Sequence, residues 1–284
     1  GKLWKQVAFY SILICLLNAV TIGVTRTDVV KAIFPISAKT YWFASVYMGL
    51  LVLMPFVSMV AARMTRRQYQ YLLGALTLFL SVNHMIFRVD TYGTFSGREL
   101  PWFIFLTLLA GYVKLHMKED RRYAWYGFAG YVVSSLAVLA SVYLSVKTHQ
   151  EDIGYFLNYN SPLALLGTLA LFVCVRNLPW KESKLDGVIL KVAGAAFGVY
   201  LIHDNYLIRY LMWDTFRVSK VAKTHWAMIY AVVVAAIVYL TCTLLELLRQ
   251  QLVKWFAPIW EKTLLYRKEQ NLYLKITKRV NDLS

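Results

Sequence analysis

"YWFASVYMGLLVLMPFVSMVAARMTRR", residues 41–67, reads as one membrane crossing together with both of its borders. Residues 41–62 carry no charged side chain, and a helix of that length rises about 33 Å against a hydrocarbon core of about 30 Å. In hydrocarbon every backbone amide must be satisfied internally, and a single unbroken apolar run does this as a helix. Tyr41, Trp42 and Phe43 stand where an interfacial aromatic belt belongs. Arg63, Arg66 and Arg67 stand at the other end, as expected of a cytoplasmic flank.

Seven further runs repeat the pattern, at 6–24, 69–87, 101–115, 123–146, 161–175, 188–212 and 225–248. The runs at 101–115 and 161–175 are short for a full crossing. The prediction is an all-α polytopic membrane helix bundle of about eight transmembrane helices. Composition agrees: 59% of residues are hydrophobic and 16% charged, where soluble chains carry about 25% charged residues. With the N-terminus placed in the cytoplasm, 21 of the 31 Lys and Arg fall on the cytoplasmic side, which predicts both ends of the chain there. That distribution also accounts for the net charge of +16. No basic stripe interleaved with aromatics appears, so nucleic acid is not an expected partner; the bilayer is.

Residues 249–284 hold eight Lys and Arg against three acids among apolar and aromatic residues. They predict a basic amphipathic tail on the anionic cytoplasmic leaflet, broken at Pro258. The organisation is therefore an integral membrane domain over 1–248 and a cytoplasmic tail over 249–284. Cys15, Cys174 and Cys242 each lie alone in an apolar run, with no Cys or His spacing that would hold a metal. They read as small packing residues.

Ionisable side chains within a membrane segment are costly, which makes each a functional candidate. Those here are His84 in "LSVNHMIFR" (80–88), His203 and Asp204 in "FGVYLIHDN" (197–205), and Glu246. Tyr200 and His203 share one helix face with Asp204 at its edge, and Asn205 follows. The spacings Tyr200–Asp204, Asn205–Arg209 and His84–Arg88 each allow a polar pair four residues apart. His84 and His203 fall at similar depth in the outer half, which predicts one shared cavity opening outward. Pro55 would kink its helix. Arg66 and Arg67 could hold a phosphate-bearing ligand.

The motif FP-x5-YWF-x3-Y-x2-L-x2-L-x-P, from Phe34 to Pro55, resembles a helix of the integral-membrane acyltransferase family 3. "FGVYLIHDN" resembles that family's late-helix signature, and the two occur in the same order, so the resemblance covers residues 1 to about 248. It implies an O-acyltransferase that moves an acetyl group from acetyl-CoA, or another acyl-CoA as co-substrate, to a hydroxyl of a cell-surface or exported glycan, with no bound cofactor. It places His203, Tyr200, Asp204, Asn205, His84 and Trp42 as acceptor-site candidates and Arg66 and Arg67 toward acyl-CoA. The family's catalytic signature is an Arg with a His eleven positions later. The residues eleven before the five histidines are Leu73, Phe105, Val138, Val192 and Asp214. None is Arg, so the catalytic residue is unassigned, and the resemblance implies that two N-terminal helices precede Gly1. Two other readings fit the same pattern: a transporter or flippase for a lipid-linked glycan, and a membrane scaffold.

Overall fold

The computed structural model describes residues 2–89, 92–149 and 154–261. In chain order the helices are α1 Lys2–Thr21, α2 Arg26–Ile33, α3 Trp42–Arg63, α4 Arg66–Thr77, α5 Asn83–Phe87, α6 Leu100–His116, α7 Arg121–Lys147, α8 Pro162–Arg176, α9 Asp186–His203, α10 Tyr206–Thr215, α11 Val218–Val221 and α12 Ala227–Glu261. A π-helical turn, Leu78–Val82, joins α4 to α5, so the run Arg66–Phe87 is continuous. Among the described residues there is no strand.

Among the described residues seven helices are long and apolar enough to cross a membrane, and α6 is a shorter apolar helix. Its 17 residues span roughly 26 Å, just under the hydrocarbon thickness. The fold is thus an all-α polytopic membrane protein. Val20, Val52, Leu190 and Met228 stand more than two-thirds exposed, an arrangement stable when hydrocarbon covers them.

Local chemistry sets the helix starts. Thr65 and Gln68 form a reciprocal capping box ahead of α4. Asp120 accepts from Arg122 N at 2.8 Å to cap α7, and Ser161 caps α8 with Pro162 as its first residue. The Arg122 guanidinium, also on Asp120, helps hold this carboxyl below the usual carboxylate range. α3 continues through Pro55.

The expected helix over 188–212 is two helices, a correction with a local cause. α9 stops at His203 because Asn205 turns extended (φ −62°, ψ 129°) and its Oδ1 accepts from Leu207 N at 2.9 Å, starting α10 afresh. α12 runs across position 248 and past Pro258 to Glu261; the tail from residue 262 lies outside the described residues.

Contacts group the chain into two units, Phe34–Glu182 and Gly1–Ile33 with Ser183–Ser284. In the first, Tyr69, Leu73, Leu80, Trp102, Phe105, Leu108 and Leu165 form the core. The Tyr69 hydroxyl donates to Leu108 O at 2.8 Å, tying α4 to α6. α7 and α8 approach so closely at Gly127 that a Cβ there would lie 2.6 Å from Ala170 O and Cys174 N. Between lipid-covered helices, such small-residue approach supplies the packing that hydrophobicity cannot.

In the second unit α1, α9 and α12 meet around Glu246, which has no exposed surface. Its carboxylate accepts from Tyr10 Oη (2.6 Å), Gln6 Nε2 (3.1 Å) and Gln250 Nε2 (2.8 Å), and from Arg249 at 2.8 and 2.7 Å. Gly198 of α9 makes room for it: a Cβ there would come within 2.6 Å of Glu246 Cγ and closer still to Oε2. A charge buried this deeply persists because every oxygen is paired.

Candidate functional site

The polar end of "FGVYLIHDN" sits where two helices part. His203 is the last residue of α9, Asp204 caps its C-terminus and Asn205 caps the start of α10. That answers why three polar residues follow an apolar helix: two of them are terminators. His203 Nδ1 lies 2.7 Å from Val199 O. A carbonyl can only accept, so Nδ1 carries a proton, and in the neutral ring Nε2 keeps its lone pair. Among the described residues Nε2 has no hydrogen-bond partner, which leaves it available to a ligand hydroxyl.

His203 lines a cavity of about 660 Å³. Met212, Trp213 and Phe216 from the α10 side and Val234, Ala235 and Val238 from α12 contribute to its apolar wall. Beside it, Arg209 Nη2 pairs with Asp204 Oδ1 at 3.1 Å and donates to Asp204 O at 2.9 Å. Asp204 Oδ2 and Arg209 Nε are buried with no partner among the described residues. The Tyr200–Asp204 spacing is taken up by the backbone, Asp204 N donating to Tyr200 O at 3.0 Å. The Tyr200 ring stands edge-on to His203 at 6.5 Å.

A second polar group forms at the first residue of α10, Tyr206. Asp28 of α2 accepts from the Thr25 hydroxyl (2.6 Å) and amide (2.8 Å) and from Tyr206 Oη (2.7 Å), which together hold its carboxyl down at about 2.

His84 belongs to the other unit, at α5. Its ring stacks on Tyr155 at 6.0 Å and its Nδ1 lies 3.3 Å from Val89 O, while Nε2 is buried with no partner among the described residues. Tyr155 Oη donates to His84 O (2.5 Å) and Met85 O (3.0 Å), and Arg88 lies over the Tyr155 ring at 4.9 Å. The His84–Arg88 pair is a backbone one, Arg88 N donating to His84 O. Trp42 stacks on Tyr159 at 5.9 Å and meets Phe103 edge-on. Arg66 Nε reaches Tyr112 Oη at 3.4 Å, where Gln70 Nε2 donates at 2.7 Å; Arg67 is exposed.

Glu246 is visible in the sequence as an ionisable residue in an apolar run, but its partners Gln6 and Tyr10 lie 240 and 236 positions away. The buried group of Asn160 carries no comparable mark: its Nδ2 donates to Thr94 Oγ1 (3.1 Å) and Leu80 O (3.3 Å) while its own O accepts from Ser81 Oγ (2.7 Å). These hydrogen bonds fasten the π-helical turn. The turn itself leaves no clear mark in an apolar sequence.

No curated protein and no solved structure matches the chain. A family model described as an acyltransferase domain matches residues 2–246. Both resemblance motifs fall inside that range. The chain belongs to the acyltransferase family 3 and is a membrane acyltransferase.

Proposed function

We propose that the protein transfers an acetyl group from acetyl-CoA to a hydroxyl of a cell-surface or exported polysaccharide. It does so in the cell membrane, with both described ends of the chain toward the cytoplasm. His203, with Tyr200, Asp204 and Asn205 around it, holds the acceptor hydroxyl. Within the other unit, taken by itself, Trp42 and His84 are further acceptor-site candidates and Arg66 and Arg67 are the candidates for the phosphates of CoA.

The observation that carries this reading is the state of His203. Its Nδ1–H is tied to Val199 O, and its unengaged Nε2 belongs to a side chain lining a cavity large enough for a ligand. A neutral imidazole nitrogen accepts a hydrogen bond from an alcohol and fixes the direction of the oxygen lone pairs. In the transfer that oxygen attacks the thioester carbonyl, the C–S bond breaks, and the hydroxyl proton ends on CoA sulfur. His203 orients the oxygen for this attack. The 21-to-10 bias of basic residues supports a cytoplasmic donor side, and Arg66 and Arg67 lie within that bias.

The test uses membranes holding the protein, acetyl-CoA labelled in the acetyl group, and exported glycan as acceptor. Alkali-labile label should appear in the glycan fraction and depend on the protein. Label that stays in CoA, or reaches glycan equally in membranes lacking the protein, contradicts the proposal.

A further inference from the structure

We propose that the acceptor hydroxyl arrives on a phosphorylated lipid, whose hydrocarbon chain occupies the cavity beside His203 and whose phosphate is met by Arg217, Lys220 and Lys223. The proposal rests on the acyl-transfer reading above and names its acceptor class.

The cavity wall is poor in hydrogen-bonding groups. Tyr230 Oη lines it but is committed to Phe216 O at 2.5 Å. His203, Tyr239 and the indole N–H of Trp213 are the remaining hydrogen-bonding side-chain groups of the lining. A sugar ring placed there would leave several hydroxyls unpaired, each at a desolvation cost. A hydrocarbon chain loses nothing of that kind and passes from the bilayer without dehydration. At about 660 Å³ the cavity far exceeds an acetyl group.

Charge supplies the second half. The connection from α10 to α12 contributes Phe216, Val218 and Ala222 to the lining. Interleaved with these are Arg217, Lys220 and Lys223, all exposed, and none has an ion pair among the described residues. Asp214 is the single acid between Met212 and Ala227. One short segment thus presents hydrocarbon to the cavity and three cations to its surroundings. An amphiphile with an anionic head answers both, whereas a neutral glycan or a neutral lipid answers at most one. Arg209 Nε and Asp204 Oδ2, buried and without a partner among the described residues, add polar capacity at the His203 end.

The experiment uses the protein in nanodiscs of zwitterionic phospholipid and a photoreactive polyisoprenyl phosphate as probe. The same polyisoprenol without phosphate and excess phosphatidylglycerol serve as comparisons. We expect labelling within residues 212–239. The triple variant Arg217→Gln, Lys220→Gln, Lys223→Gln, made at exposed positions that leave the fold intact, should lower labelling about tenfold, the equivalent of about 1.4 kcal/mol. Ala231→Trp with Ala235→Trp, which fills the cavity, should abolish it. Equal labelling by the unphosphorylated polyisoprenol, or displacement by phosphatidylglycerol, would overturn the proposal, the latter marking a site for bulk anionic lipid. So would Trp variants that keep the labelling but shorten the acyl-CoA chain the protein accepts, since the cavity would then hold the donor. Probe labelling without any acyl transfer removes the acyltransferase reading and the acceptor role with it, and leaves only a site for a phosphorylated lipid. Transfer to a soluble glycan without probe labelling removes this inference alone.

Discussion

Asp28 and Glu246 are two carboxylates held in opposite ways. Asp28 lies outside the membrane-spanning helices, and its hydrogen bonds favour the ionised form. A depressed native value means the stabilisation is present above the unfolded value near 3.9 and lost as the pH falls through about 2. Protection of α2 amides, corrected for intrinsic exchange, should therefore stay level from neutral pH to about 4 and fall toward pH 2. In Asp28→Asn that pH dependence should vanish. Glu246 is buried and matched by Arg249. Arg249→Met strands the carboxylate and should cost about 3–5 kcal/mol in unfolding measurements, while Glu246→Gln with Arg249→Met should recover most of that loss. A double variant as weak as the single one would show that the charge pairing is not what matters there.

At the scale of elements, the instructive feature is the break between α9 and α10. Hydropathy ran straight through it, because Tyr206 to Met212 is apolar enough to extend the run. The stop was nevertheless written in the sequence: Asn is among the strongest N-cap residues, and Asp204–Asn205 marks the break. Asn205→Ala should weaken α10 by about 1 kcal/mol, seen as roughly fivefold faster amide exchange at its first turn. Unchanged exchange would mean that tertiary contacts alone hold α10. Gly127 tests the α7–α8 pair in the same way. Gly127→Ala adds a methyl against Ala170 O and Cys174 N, and should cost about 1–3 kcal/mol in thermal unfolding. The long crossings at 41–62 and 123–146 were legible to within a few residues because an unbroken apolar length has one solution in hydrocarbon. The π-helical turn and the amphipathic α2 were not, since neither disturbs that pattern.

For the whole molecule, membrane class and family are readable from apolar length, charge asymmetry and two short motifs, and the family match over residues 2–246 agrees. The site was half legible. His203 stood out as a histidine in a lipid-like run, but its tautomer and its cavity depend on Val199 and on residues of α10 and α12 brought together only by folding. Whether His203 Nε2 receives the acceptor hydroxyl is tested by comparing acetyl transfer from labelled acetyl-CoA by the unaltered protein and by His203→Ala in membranes at equal folded amounts. Loss of one orienting hydrogen bond should lower kcat/KM about tenfold or more, with partial recovery in His203→Gln, whose amide oxygen can accept the same bond. Transfer that proceeds unchanged in His203→Ala would contradict the account.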